Sequence, residues 1–477
     1  MKKVVIIGGG ISGLSTAYSL EKLLEQSGDE LTYTLFEKRT RLGGNIVTEK
    51  EKGFVVEGGP DCFISEKPWA LALCKELGLK DEIICTNDER RKTFVLWKGK
   101  LHELPEGVIL MVPTKMVPIL WSTLISFPGK IRMGMEYFIP KRKSNEDESL
   151  GSFVRRRLGK EALTKIAEPL IAGIHAGDPE TMSIKSSFPR FVDLEQNYGS
   201  LIKGMLARMV EAKKRKKKST GEKMTMFMTL KGGVETLTNT IASCLPVGST
   251  VQGKEITGIS RSNVNGGNPS YAISFAGDDN TVKADAVIIA APAHVAAKLL
   301  ENLDPSLAGQ LADIPYASTA TVSVAYKKED VSHPLNGFGF VIPKVENRQI
   351  MAATWTSVKF SYRAPEDAVL IRCFVGGSMN EELVSLSDEE MVKMVREELK
   401  DIMGIDAKPT LSKVFRFHKS MPQYTIGHEE RVARIEQVVD EHEGLFLTGS
   451  AYRGIGISDC VHNGEITAKK VFDYLTK

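Results

Sequence analysis

The residues with the clearest chemical meaning open the chain. Lys3-Val4-Val5-Ile6-Ile7 runs straight into Gly8-Gly9-Gly10-Ile11-Ser12-Gly13-Leu14. Glycines at the first, third and sixth positions behind a β-branched run form a dinucleotide-binding fingerprint, set between a predicted strand and a predicted helix. Gly8 permits the tight turn. Gly10 lets backbone approach a pyrophosphate, and Gly13 lets the helix lie close on the strand. The helix then turns free N–H groups and its positive dipole end toward the phosphates. A second apolar run, Leu31 to Phe36, ends at Glu37. An acid at that place accepts hydrogen bonds from an adenosine ribose and would repel a 2′-phosphate.

Two further glycine turns follow closely, Arg41-Leu42-Gly43-Gly44-Asn45 and Glu57-Gly58-Gly59-Pro60-Asp61. Both suit close backbone approach to a diphosphate or a flavin. Near the other end, a strand over Leu445–Gly449 leads to Gly454-Ile455-Gly456-Ile457-Ser458-Asp459 and a predicted helix to Leu475. A crevice built from both chain ends holds a ligand with two polar ends. FAD is such a ligand, its pyrophosphate at the first helix and its flavin at the last. The dipole of the last helix would favour negative charge on the reduced ring by about 1 kcal/mol.

The elements that position these turns can be read coarsely. Helices are expected over 14–26, 66–85, 235–245 and 387–403. Short strands are expected over Ser249–Ser260 and Tyr271–Phe275. Ala286–Ala291 is apolar throughout, as in a central parallel strand. Residues 320–326, 338–343, 350–355 and 368–375 read as an antiparallel sheet. The expected fold is α/β: a Rossmann-like FAD-binding domain from 1–85, 227–297 and 440–477, a mostly helical insert at 86–215, and an α+β substrate-binding domain with an antiparallel sheet at 298–439. The 477 residues suit two or three domains.

Composition excludes several functions. A formal net charge of +3 is too small to argue for nucleic acid. The Lys213–Lys218 run lacks interleaved aromatics and reads as a solvated loop. The six cysteines have no metal-ligand spacing and read as reduced thiols of a cytosolic protein. The first strand starts within three residues of Met1, which leaves no room for a signal peptide. Residues 107–140 are strongly apolar, but Pro118 and Pro128 break their longest uncharged run, Met116–Gly129. A spanning helix needs about 20 apolar residues. The segment therefore reads as core or pocket wall, with peripheral membrane contact as the alternative.

Taken together, the Gly8–Gly13 turn, Glu37, Arg41-x-Gly43-Gly44, Gly58–Asp61 and Gly454-Ile455-Gly456-Ile457-x-Asp459 resemble the flavin amine oxidase superfamily. Glu168–Asp178, Ser183–Pro189 and Met421–Tyr424 are similar to segments of protoporphyrinogen oxidases. The resemblance covers essentially the whole chain and extends to the soluble coproporphyrinogen III oxidases of Gram-positive bacteria. It implies oxidation of a porphyrinogen to the porphyrin in haem biosynthesis, with oxygen as acceptor and hydrogen peroxide as product. Coproporphyrinogen III is the expected substrate and protoporphyrinogen IX the alternative. A flavin amine or carotenoid oxidase and a non-catalytic flavin- or porphyrin-binding protein are further alternatives.

The resemblance also implies site residues. FAD contacts map onto Gly8, Gly9, Gly10, Ile11, Ser12 and Gly13, onto Glu37, Lys38 and Asn45, and onto Gly59, Pro60, Asp61 and Cys62. They continue at Ile256, Phe417, Ile455, Gly456 and Ile457, and Gly43 and Gly44 join them as a close-approach turn. Phe417 stands where a relative has tryptophan, and Cys62 where a relative has serine. Met421–Tyr424 lacks a flavin-tethering cysteine, so FAD is expected to be non-covalent. Lys67, Ile174 and His175 map to the substrate pocket, with Lys67 suited to a propionate. No catalytic base and no metal site are assigned. Pathway logic adds transient contact with a ferrochelatase; the oligomeric state is left open.

Overall fold

The structure, a computed structural model, describes residues 2–109, 112–113, 116–216, 224–262, 270–378 and 380–477. A five-stranded sheet forms from distant parts of the chain, in the order Thr250–Gln252, Leu31–Glu37, Lys2–Ile7, Ala286–Ile289, Leu445–Leu447. Every pairing in it is parallel. The first strand alternates: Val4 and Ile6 bury into one apolar cluster with the helices Ile11–Ser27 and Ile457–Thr476, while Val5 and Ile7 bury into the cluster on the opposite face. Neighbours in the sheet lie on opposite sides of that strand, which makes its carboxyl end a topological switch point where ligands bind.

A seven-stranded sheet stands beside it, in the order Leu411–Pro422, Tyr316–Lys327, Ala368–Gly376, Ile350–Trp355, Gly339–Val341, Thr93–Trp97, Lys100–Glu103. Its pairings are antiparallel except where Gly339–Val341 meets Thr93–Trp97. Residues 93–103 therefore differ from the helical character expected of 86–215. The cause is local: Lys98 and Gly99 have φ of +52° and +71°, the two positive values that a tight hairpin turn requires. The helix expected over 66–85 is also shorter, Trp69–Glu76, and Ile83–Cys85 pairs as a strand with Phe227–Leu230. Gly78, at φ +76°, turns the chain out of it.

Helices do dominate from Met116 to Lys216. They are tied together by the fully buried pair Arg157–Glu136. Glu136 also accepts from Ser200 Oγ at 2.7 Å and from the backbone N–H groups of Leu201 and Ile202 at 2.8 and 3.1 Å. One carboxylate thus caps the start of the helix Leu201–Lys216. That helix runs into the basic block, so its first four residues are helical rather than loop; Lys217 and Lys218 lie outside the described residues. Among the described residues, no helix is long and apolar enough to cross a membrane.

Candidate active site

The glycine turn is built as its spacing requires. Gly8 sits at φ +108° and donates its N–H to Phe36 O at 2.8 Å. A Cβ on Gly13 would lie 1.9 Å from Gly8 O, so only glycine lets the helix sit this close to the strand. Gly10 is different. The nearest atom to a Cβ there is Gly44 Cα, 3.9 Å away, so its open side faces a crevice. Gly44, at φ +60°, approaches so closely that its own Cβ would lie 2.9 Å from Gly10 Cα. Gly43 N–H donates to Gly9 O at 2.8 Å, and Gly59 packs on Asn45 O. Gly8, Gly9, Gly10, Ile11, Ser12, Gly13, Gly43, Gly44, Asn45 and Gly59 are thus one continuous wall.

Glu37 closes the same turn. One carboxylate oxygen accepts Gly9 N–H at 2.7 Å and the other accepts Arg39 N–H at 2.9 Å. Its remaining lone pairs are available to ribose hydroxyls. Lys38 stands apart: it is largely exposed and paired with Glu255 at 2.6 Å. Arg41 holds the second glycine turn rather than a phosphate, donating to the carbonyls of Leu42, Gly44 and Ile46. Ile256 is buried beside Phe36 in the apolar cluster behind the sheet.

The loop after Gly58 is held from the seven-stranded sheet by residues the sequence reading passed over. Thr321 Oγ1 and Arg372 Nη2 donate to Gly58 O at 2.8 and 2.7 Å, and Arg372 also reaches Gly59 O. Lys359 Nζ donates to Asp61 at 2.8 Å, and Cys62 Sγ to the other Asp61 oxygen at 3.1 Å. Burial alone would push the Asp61 carboxyl up, but the Lys359 and Arg372 charges outweigh it and hold it well below the usual carboxylate range. Burial and the Asp61 charge push the Cys62 thiol up to about 12, so it stays protonated and inert. Arg372 did leave a signal: a charge inside the apolar run Val369-Leu370-Ile371-Arg372-Cys373-Phe374-Val375 needs a buried partner.

The closing turn mirrors the opening one. Gly454, at φ +87°, wraps the Asp459 carboxylate, whose two oxygens each accept from Lys67 Nζ at 2.7 Å. The helix Ile457–Thr476 starts at Gly456 without a side-chain cap, as the helix Ile11–Ser27 starts at Gly10. Just after the strand Leu445–Leu447 and in the first turn of the helix Ile457–Thr476, the buried hydroxyls of Thr448 and Ser458 have no hydrogen-bond partner. Two uncapped helix starts, two orphan hydroxyls and the open side of Gly10 fit a ligand carrying a diphosphate and a polar ring.

Of the expected pocket residues, Ile174 is 46% exposed and so is not core. His175 ends the helix Glu168–His175, its ring edge-on to Phe188 with centroids 5.3 Å apart. Burial first, and the Lys67 ammonium second, push its imidazole down to about 4. Burial does the same to His428, which faces Tyr452 O at 3.0 Å. Both groups are neutral in the fold yet protonate near 6.5 once unfolded. Between those values the unfolded chain binds protons the fold refuses, so stability is complete above about pH 6.5 and falls toward pH 4. Each imidazole should contribute a loss of about 2 kcal/mol between pH 7 and about pH 5. His428→Gln should flatten that slope by about half, read from urea midpoints at the two pH values.

The geometry matches a known group of proteins. Residues 11–472 match the profile of the flavin containing amine oxidoreductases. The chain belongs to that family. It is an oxidoreductase whose chemistry is carried by a flavin. The coproporphyrinogen III oxidase of Bacillus subtilis (strain 168) is 36% identical over 99% of this chain and 98% of its own length. Protoporphyrinogen oxidase 1, chloroplastic, of Arabidopsis thaliana is 32% identical over 99% of this chain and 88% of its own. A crystal structure from Exiguobacterium sp. 255-15 superposes with a TM-score of 0.85 at 31% identity, covering 100% of this chain and 99% of that one. Cyclohexylamine oxidase from Brevibacterium oxydans shares the fold alone, with a TM-score of 0.71 at 14% identity.

Proposed function

We propose that this chain oxidises coproporphyrinogen III to coproporphyrin III, with oxygen as acceptor and hydrogen peroxide as product, in the cytoplasm and using non-covalent FAD. The observation that carries this reading is full-length similarity, at 36%, to an enzyme of that name. The crevice built from both chain ends fits the cofactor. In this reading Gly10, Gly44 and Gly59 admit the diphosphate, Glu37 takes the ribose and Ile256 backs the adenine. Phe417, Pro60 and Ile455 to Ile457 enclose the ring. Bound there, the flavin supplies a two-electron acceptor that oxygen can regenerate. Six electrons and six protons leave the macrocycle over three turns, and three oxygen molecules become three of peroxide. The inert thiol of Cys62 agrees with non-covalent binding.

The chain's own residues position the macrocycle. Lys67 spends two of its three N–H donors on Asp459, which leaves the third for a propionate. Ile174 presents an exposed apolar face. His175, neutral, offers its one unprotonated ring nitrogen to a pyrrole N–H, and the released protons pass to water. Lys67→Met made together with Asp459→Asn, so that no bare carboxylate remains, should raise KM for coproporphyrinogen III about tenfold, the worth of one charged hydrogen bond. Flavin content should hold.

Protoporphyrinogen IX is the second reading, favoured by the 32% identity to the Arabidopsis thaliana enzyme. Steady-state assays with both porphyrinogens decide between them. A higher kcat/KM for coproporphyrinogen III supports the first, and a clear preference for protoporphyrinogen IX replaces it. Transfer of the photoreactive product to a ferrochelatase by transient contact completes the proposal.

A further inference from the structure

Met421-Pro422-Gln423-Tyr424 lies where the seven-stranded sheet, the helical insert and the closing glycine turn meet. The strand Leu411–Pro422 pairs with Tyr316–Lys327 on both sides of an irregularity: Thr319 stands opposite Phe417, and Ala317 opposite Met421. The strand therefore bulges over 418–420, where Lys419 takes a φ of +41°. Beyond the bulge Gln423 N–H donates to Pro315 O at 2.8 Å, which anchors the backbone. Successive side chains of an extended segment leave it in different directions. Here Gln423 reaches the insert, and Tyr424 reaches the loop before Gly454.

The Gln423 side chain holds the end of the helix Glu168–His175. Its Nε2 donates to His175 O and to Met421 O, both at 3.1 Å. Two carbonyl partners settle which end of the amide is nitrogen. The last carbonyls of a helix have no partner within it. This helix closes at Ala176 with φ +51°, without the glycine that usually takes that conformation. The Gln423 amide supplies the missing donor. Gly177 makes room for it, since a Cβ there would lie 2.5 Å from Gln423 Oε1. The last turn of this helix carries Ile174 and His175, the two residues expected on the porphyrinogen.

Tyr424 holds the facing wall. Its Oη donates to Ser450 O at 2.7 Å, and its ring stacks on His428 with centroids 4.0 Å apart. His428 in turn faces Tyr452 O at 3.0 Å. Ser450 and Tyr452 lead into Gly454, the turn that wraps Asp459 and, through it, Lys67. Two adjacent residues thus reference the substrate helix and the flavin turn to one backbone segment.

We propose that Gln423 is a positioning residue for the porphyrinogen. It sets Ile174 and His175 relative to the turn that Tyr424 holds, and so places the macrocycle over the flavin. This role rests on the functional reading above. Gln423 acts through the helix end, because both N–H groups of its amide are spent on backbone carbonyls.

The test uses the full-length, flavin-loaded protein. Gln423→Met keeps the length of the side chain and loses both donors. Its KM for coproporphyrinogen III should rise about fivefold, the worth of one neutral hydrogen bond, and its kcat should fall. Flavin affinity and the potential of bound flavin should stay at the parent's values. Amide hydrogen exchange over residues 172–177 should speed up without substrate. Gln423→Asn keeps a polar amide but is one methylene too short for His175 O, so it should show the same split at a smaller cost to stability. Tyr424→Phe should do the reverse, shifting flavin affinity and potential while KM changes by less than about twofold. A KM in both Gln423 variants equal to the parent's overturns the proposal, as does flavin lost in step with the rise in KM. A parent that oxidises neither porphyrinogen overturns the functional reading and this role with it. A normal parent beside unaffected Gln423 variants overturns this role alone.

Discussion

Replacing Gly10 by valine should give a folded but colourless protein. Gly10 holds an ordinary extended conformation, φ −73° and ψ 178°, which any residue adopts. Nothing stands closer than 3.9 Å to its would-be Cβ, so the fold has room for a side chain. The crevice does not, because the branched side chain would fill the place where backbone must meet a diphosphate. Urea midpoints of flavin-free parent and variant should agree within about 0.5 kcal/mol. Flavin affinity should fall at least about a hundredfold, near 3 kcal/mol. Gly13→Val makes the contrast: its Cβ would sit 1.9 Å from Gly8 O, so it should lose stability and flavin together. If Gly10→Val purified with full flavin, the crevice would not be the cofactor site.

Lys359→Met should destabilise the fold strongly. The Lys359–Asp61 pair is 12% and 16% exposed at its side chains. Removing the cation leaves the buried Asp61 carboxylate with the Cys62 thiol and only the more weakly acting Arg372 charge, and losing one partner of a buried pair costs about 3–5 kcal/mol. Asp61→Asn in the same chain should recover most of that loss, since the remaining amide needs no counter-charge. A double-mutant cycle on urea midpoints measures the coupling. The variant should also shift the potential of bound flavin downward, because a cation beside the Gly58–Cys62 loop favours the reduced, more negative ring. Equal stability of Lys359→Met and parent would mean that the pair is not tied to the fold.

What could be read from sequence was local. A β-branched run, a glycine turn and a 3.6-residue period specify strand, loop and helix within a single window, so Lys2–Ile7, Ile11–Ser27 and Glu37 could be placed. The same signals recur at Leu445–Leu447 and Ile457–Thr476. Less was visible where partners lie far apart. Lys67 and Asp459 are separated by 392 positions, and Lys359 and Asp61 by 298. No periodicity announces such pairs. Thr321 and Arg372 hold the Gly58 carbonyl from another sheet, and only the lone charge in an apolar strand hinted at it. The Lys98-Gly99 hairpin was not predicted, because it lies inside 86–215, where the helical stretches that follow dominate the pattern. Composition marked residues 107–140 as apolar, yet it carries no sign of which side faces water. That distinction comes from packing, which buries Ile119, Leu124, Ile125 and Met133 and leaves Trp121, Phe127 and Phe138 exposed.

The central claim is that electrons pass from a porphyrinogen to a flavin held between the two chain ends. Anaerobic mixing of the flavin-loaded protein with coproporphyrinogen III tests it most directly. The oxidised flavin band should bleach as porphyrin fluorescence rises, and admitting oxygen should restore it. Flavin that stays oxidised in the presence of bound porphyrinogen would contradict the account.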